Sequence, residues 1–146
     1  VACMQKGFFV TLTYLDIDTQ KKEIQLIRAG HCPAFYYNSK EDRICMMREG
    51  TLGLGIVKGS IFKSYNQEPQ TIQYNSGDML LLYTDGIIEA RNEEGEEFGY
   101  QRLKNIFTAH RNMESEQLTT SIVDGVKDFT HSDLEDDYTV LAIKFI

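Results

Sequence analysis

Apolar and polar residues alternate loosely with a period of two through much of the first half of this chain, and only beyond position 100 does the period lengthen to that of a helix. Phe8 to Asp18 is rich in β-branched and aromatic residues, Thr19-Gln20-Lys21-Lys22 is a polar turn, and Glu23 to Arg28 returns, which predicts a hairpin. Ala34 to Tyr37 and Arg43 to Met47 flank the polar run Asn38-Ser39-Lys40-Glu41-Asp42 and predict a second one. Further strands are expected over Ser60 to Tyr65, Thr71 to Tyr74 and Met79 to Thr84. Gln101 to Ala109 instead carries Leu103, Ile106 and Phe107 on one side of a helix. Ser115 is the expected cap of another helix, with Leu118, Ile122, Val126 and Phe129 at helical spacing. Val140 to Phe145 is apolar and reads as a central strand. Strands followed by helices predict an α+β layered domain rather than a doubly wound alternation.

Two acidic signals sit next to predicted strands. Asp85-Gly86 follows the run Met79 to Thr84, which itself follows the turn signal Asn75-Ser76-Gly77-Asp78. Glycine lets the backbone bend, so Asp85 is expected at the rim of a sheet. Glu135-Asp136-Asp137-Tyr138-Thr139 directly precedes the last strand. If the first of these strands leaves the rim and the last enters from it as an antiparallel neighbour, Asp85 and Asp136 converge. Clustered carboxylates need a proton or a cation, and the hard oxygen donors suit Mg2+ or Mn2+. The alternative is plain turn formation, because acid–Gly and Asp–Asp pairs also build turns.

Charge narrows the partners. With 22 acidic against 15 basic residues the net charge is −7, and no basic stripe interleaved with aromatics tracks a phosphate backbone, so nucleic acid is excluded as a partner. Glu93-Glu94-Gly95-Glu96-Glu97 reads as a solvated connector. No apolar stretch approaches the roughly 20 residues of a membrane helix, and the start does not read as a secretory signal, so no membrane contact and a cytoplasmic location are expected. Cys3, Cys32 and Cys45 are odd in number without paired spacing, which reads as reduced thiols. The cysteines and serines form no visible nucleophile–base pair. Gly50 to Gly55 lacks the Lys-Ser/Thr of a phosphate loop, and His110 and His131 read as solvated.

The order of short segments resembles the SpoIIE/RsbU branch of the metal-dependent (type-2C-like, PPM) serine/threonine protein phosphatases. Phe9-Val10-Thr11-Leu12 is similar to an early strand of that branch, Ala29-Gly30-His31-Cys32-Pro33 to its Ala-Gly-His-x-Pro loop, and Leu54-Gly55 to its Leu-Gly step. Gly77-Asp78 with Leu81-Leu82-Tyr83-Thr84-Asp85-Gly86 resembles its most recognisable block, followed by Glu89-Ala90 and Phe98-Gly99, and Asp136-Asp137-Tyr138-Thr139 its closing Asp-Asp-x-Thr. The resemblance implies a sandwich of antiparallel β-sheets flanked by α-helices. It implies metal ligation by Asp85 and Asp136, with Asp137 beside them and Thr84, Gly86, Gly30 and His31 in support. His31 either approaches the phosphate or simply hydrogen-bonds the backbone. Two divalent ions, Mn2+ or Mg2+, would activate water for hydrolysis of phosphoserine or phosphothreonine. The implied substrate is a phosphorylated regulatory protein of the anti-sigma-factor-antagonist type.

One departure stands out. The family's first motif, Gly-Asp-x-Ser-Gly-His-Gly, supplies a bridging aspartate, and nothing in this sequence resembles it. The Asp-Gly pairs present are Asp85-Gly86 and Asp124-Gly125, the second inside a helical pattern. The expectation is therefore a single truncated domain over residues 1–146, lacking amino-terminal strands and helices and inactive alone, whose exposed apolar sheet is covered by homodimer formation. A degenerate fold that only binds a regulatory protein, or a phosphatase acting on a small molecule, are the other readings.

Overall fold

The computed structural model describes residues 8–57, 61, 68–131 and 137–146. The chain divides into two compact units, residues 1–33 with 48–74 and residues 34–47 with 75–146. The first unit holds a three-stranded antiparallel sheet of order β1-β2-β5, built from β1 (Leu12–Asp18), β2 (Glu23–Ala29) and β5 (Gln70–Gln73). The β1–β2 register runs from Leu12 opposite Ala29 to Asp18 opposite Glu23, as the polar turn between them predicts. Ile24 and Leu26 are buried on one face of β2, while Leu12 and Tyr14 on β1 are exposed. The strand expected over Ser60 to Tyr65 falls largely outside the described residues.

The second unit holds a four-stranded antiparallel sheet of order β4-β3-β6-β7, from β3 (Ala34–Asn38), β4 (Arg43–Met47), β6 (Met79–Tyr83) and β7 (Val140–Lys144). Ala34, Phe35, Tyr36 and Tyr37 are buried in succession, as are Met79, Leu80 and Leu81, so β3 and β6 are covered on both faces. Phe35 stacks on Tyr83 with ring centroids 5.9 Å apart. Among the described residues three helices follow β6: α1 (Asp85–Ile88), α2 (Gly99–His110) and α3 (Ser115–Thr130). Leu103 and Phe107 of α2 and Leu118, Ile122 and Val126 of α3 form the buried stripes. The two helices approach closely at Gly125, where a Cβ would stand 2.5 Å from the Ile106 side chain.

Two expectations are corrected. Val140–Lys144 is not a central strand: among the described residues it pairs only with β6, at the sheet edge, and Leu141 is half exposed. An apolar run does not distinguish two-sided burial from an edge with one side packed. Ser115 is not the helix cap. Glu114 is, through a capping box in which its side chain accepts from the Gln117 backbone while the Gln117 side chain accepts from the Glu114 N–H.

Buried polar groups concentrate at the start of β6. The fully buried Asp78 carboxylate accepts hydrogen bonds from the Tyr36 hydroxyl (2.5 Å), the Ser39 N–H and hydroxyl (2.7 Å each) and the Asn75 N–H (2.8 Å). It ties the β3–β4 turn to the turn before β6. Burial alone would push its pKa up, but these donors hold it below the ordinary carboxylate value. The Tyr36 hydroxyl is pushed far up by burial and by that carboxylate.

Candidate metal centre

Asp85 follows β6 directly and opens the four-residue helix α1, with an exposed side chain. Its Oδ1 accepts the Gly86 N–H at 3.2 Å, and among the described residues the carboxylate takes no other hydrogen bond. The strand beneath it is pinned at Leu81 and Tyr83 by the register with Ala142 and Val140. An exposed carboxylate on a buried strand end keeps its oxygens for a ligand while its backbone is fixed.

The antiparallel β6–β7 pairing brings Asp137-Tyr138-Thr139 to the same end of the sheet. Thr84 accepts the Thr139 N–H on its hydroxyl at 2.9 Å and donates its own N–H to the Thr139 carbonyl at 3.1 Å. Beyond that pair, the Asp137 carbonyl oxygen lies 2.6 Å from where a Cβ on Gly86 would stand. The bend expected of Gly86 is not what the fold uses it for. It is helical rather than left-handed, so its role is the close approach of the 137–139 segment.

Thr84, Asp85, Gly86 and Asp137 are therefore gathered at one rim, across 52 positions of sequence (137 minus 85). Asp136 lies outside the described residues. Among the described residues no group of three or more His, Cys, Asp or Glu side chains is assembled to hold an ion. What is present fits a hard divalent cation in kind: a solvent-facing carboxylate, and a main-chain approach that any larger residue at position 86 would fill.

Gly30 and His31 belong to the other unit. Gly30 has φ +68°, and a Cβ there would stand 2.7 Å from the Gly53 backbone. His31 does not bond the backbone through its ring. Its Nδ1 lies 3.2 Å from the Thr11 hydroxyl, while its carbonyl accepts from Arg28. His110 is not simply solvated either, since its Nδ1 sits 2.9 Å from the Ile106 carbonyl. The 93–97 acidic run is exposed, between bridging Arg91 and Glu97.

Sequence reasoning missed the role of Arg28, whose guanidinium holds the His31 loop, and that of Asp78, read as part of a turn and of the block resembling the family but not as a buried hydrogen-bond acceptor. Burial of a charged side chain leaves no periodic signature when it occurs at a strand end.

Antiparallel sheets followed by helices form an α+β fold, and it is the fold of the solved PP2C-like (PPM) phosphatase domains. A protein-family model described as Stage II sporulation protein E (SpoIIE) matches residues 2–146, and the chain belongs to that family. Phosphoserine phosphatase RsbU of Bacillus subtilis is 26% identical over 138 residues, 94% of this chain and 39% of RsbU. Protein IcfG of Synechocystis is 30% identical over 137 residues, 94% of this chain and 21% of IcfG. The solved phosphatase domain of SpoIIE from Bacillus subtilis, presoaked with Mn, matches with TM-score 0.67 and 21% identity over 92% of this chain and 56% of that one. The chain thus spans well under half of the curated relatives it matches. Among the described residues no helix is long and apolar enough to cross a membrane.

Proposed function

We propose that this chain contributes the Asp85/Asp136 half of a two-metal centre to a protein phosphatase that hydrolyses phosphoserine or phosphothreonine on a regulatory protein. The observation carrying this reading is the approach of the Asp137 backbone to Gly86, immediately beside the Asp85 carboxylate. The relative RsbU is by name a phosphoserine phosphatase, which supports the substrate class. For this chain we propose a partner of the anti-sigma-factor-antagonist type and a cytoplasmic location.

Asp85 and Asp136 would hold Mn2+ or Mg2+, with Asp137 orienting a ligand or a coordinated water. When bound, two such ions lower the pKa of water and neutralise charge on the phosphate oxygens. The chain's own residues do the positioning. Thr84 fixes the rim through both of its bonds to Thr139, and Gly86 leaves room for the second acidic segment. The bridging aspartate of the family's first motif has no counterpart in this sequence, so catalysis is assigned to the whole protein carrying this chain.

The test is Mn2+-dependent phosphate release from a phosphoserine protein by that whole protein. Asp85→Asn is expected to lower kcat at least about 100-fold, the scale of losing a metal-centred electrostatic contribution. Activity unchanged in Asp85→Asn would refute the assignment.

A further inference from the structure

On α3, Thr119 with Val123 and Thr120 with Asp124 form two pairs spaced one helical turn apart, so the four side chains share a stripe along the helix. Tyr138 and Val140, two positions apart at the entry to β7, line the other side of a groove of about 330 Å3. All six residues belong to the same compact unit as Asp85. The volume lies at the lower end of the roughly 300–1,000 Å3 of ligand pockets, which suits one long side chain rather than a cofactor.

The lining combines three kinds of surface. Val123 and Val140 are apolar and half-buried, and Tyr138, 39% exposed, adds an aromatic ring. Asp124 is exposed, and it alone of the six is charged. None of the hydrogen bonds or ion pairs among the described residues involves its carboxylate. The Thr119 hydroxyl is already engaged, donating to the Glu116 carbonyl at 2.9 Å. An anion would be repelled here, and a wholly apolar occupant would strip water from Asp124 without replacing it. An arginine side chain meets each requirement. Its methylene stem covers the two valines, while its guanidinium stacks on the tyrosine ring and donates to the carboxylate.

The groove adjoins the candidate metal centre. Tyr138 follows Asp137 directly, and its Cβ lies 3.5 Å from where a Cβ on Gly86 would stand. Thr139, between the two lining residues Tyr138 and Val140, is tied twice to Thr84. Tyr138 is therefore both a wall of the groove and a part of the rim that carries Asp85.

We propose that this groove is a specificity subsite for an arginine of the phosphoprotein substrate, a few residues from its phosphoserine, with Asp124 as charge partner and Tyr138 as stacking surface. The assignment deepens the phosphatase reading above and rests on it.

The experiment uses the whole protein carrying this chain, as wild type, Asp124→Asn and Asp124→Lys. The substrates are an alanine-flanked phosphoserine peptide and versions of it with a single arginine at successive positions on either side of the phosphoserine. In the wild type, arginine at one position is expected to raise kcat/KM about fivefold to tenfold over alanine, mainly through KM, the scale of an exposed cation–π contact and ion pair together. That preference should vanish in Asp124→Asn, and in Asp124→Lys arginine should become worse than alanine. A substitution that merely disturbed the helix would lower turnover of every peptide alike and leave the preference in place. An arginine preference that survives in both variants, or none at any position in the wild type, overturns the proposal. If the wild type releases no phosphate from any peptide, the phosphatase reading fails, and calorimetric binding of the same intact peptides decides the groove. Arginine-dependent binding lost in Asp124→Asn then supports it, and binding that is absent or indifferent to arginine overturns it.

Discussion

At position 86 a side chain of even one carbon meets the Asp137 carbonyl oxygen at 2.6 Å. Gly86→Ala must push the 137–139 segment away from Asp85 or distort α1. The expected cost is about 1–3 kcal/mol of stability, typical of inserting a methyl into a packed site. The same change is expected to weaken Mn2+ binding roughly tenfold or more, the scale of losing support behind a metal ligand. Urea unfolding and calorimetry measure the two effects. Asp78 makes a complementary prediction that leaves the site untouched. Asp78→Asn keeps the shape but sets an amide N–H2 among donors from Tyr36, Ser39 and Asn75, so it should cost about 2–3 kcal/mol at neutral pH. The carboxylate's pKa is lowered on folding, so its stabilisation is full above the unfolded value near 3.8 and is lost as pH falls through the folded one. The difference in urea midpoint between wild type and Asp78→Asn should therefore hold from pH 7 to about 5 and shrink below about 4. A constant difference down to pH 2 would show that the charge is irrelevant.

Among the elements, those with strong periodicity were legible in the sequence and their boundaries were less so. Both hairpins, the β6 strand and the stripes Leu103–Phe107 and Leu118–Ile122–Val126 follow directly from period two and period 3.6, because burial on one face is what writes those patterns. The cap of α3 was missed by one residue: Ser115 has the commoner capping side chain, yet the reciprocal Glu114–Gln117 bonds satisfy two backbone N–H groups at once. Glu114→Ala is thus expected to cost about 1 kcal/mol, and Ser115→Ala no more than about 0.5, by thermal or urea unfolding. Glu114 also pairs with the Lys144 ammonium at 2.7 Å, an exposed contact that adds little. Equal effects of the two substitutions would place the cap at Ser115 after all. Of the candidate site, the approach of residues 137–139 to Thr84 and Gly86 was legible because β6 and β7 carry apolar runs; Asp136 lies outside the described residues. The role of Gly86 was not, since a glycine beside an acid reads identically whether it serves a bend or a close approach.

For the molecule as a whole, each sheet carries an edge strand with exposed apolar residues. On β1 and the residues before it, Phe8 is 65% exposed and Phe9 57%, with Tyr14 and Leu12 beside them. On β7 Leu141 is half exposed. Edge strands with no further strand partner among the described residues, flanked by apolar side chains, favour pairing with a second copy. Light scattering on the 146-residue chain should show mass rising toward a dimer with concentration, and a constant monomer mass would count against it. The same chain is expected to release no phosphate from an aryl phosphate ester in Mn2+, because no counterpart of the family's first aspartate motif occurs in it. The claim on which the account turns is that acids from distant parts of the chain grip the same cations. Calorimetric titration of Mn2+ into the wild type, Asp85→Asn and Asp136→Asn tests it directly. Binding heat in the wild type that disappears in both variants is the predicted result, and indistinguishable heats in all three would contradict it.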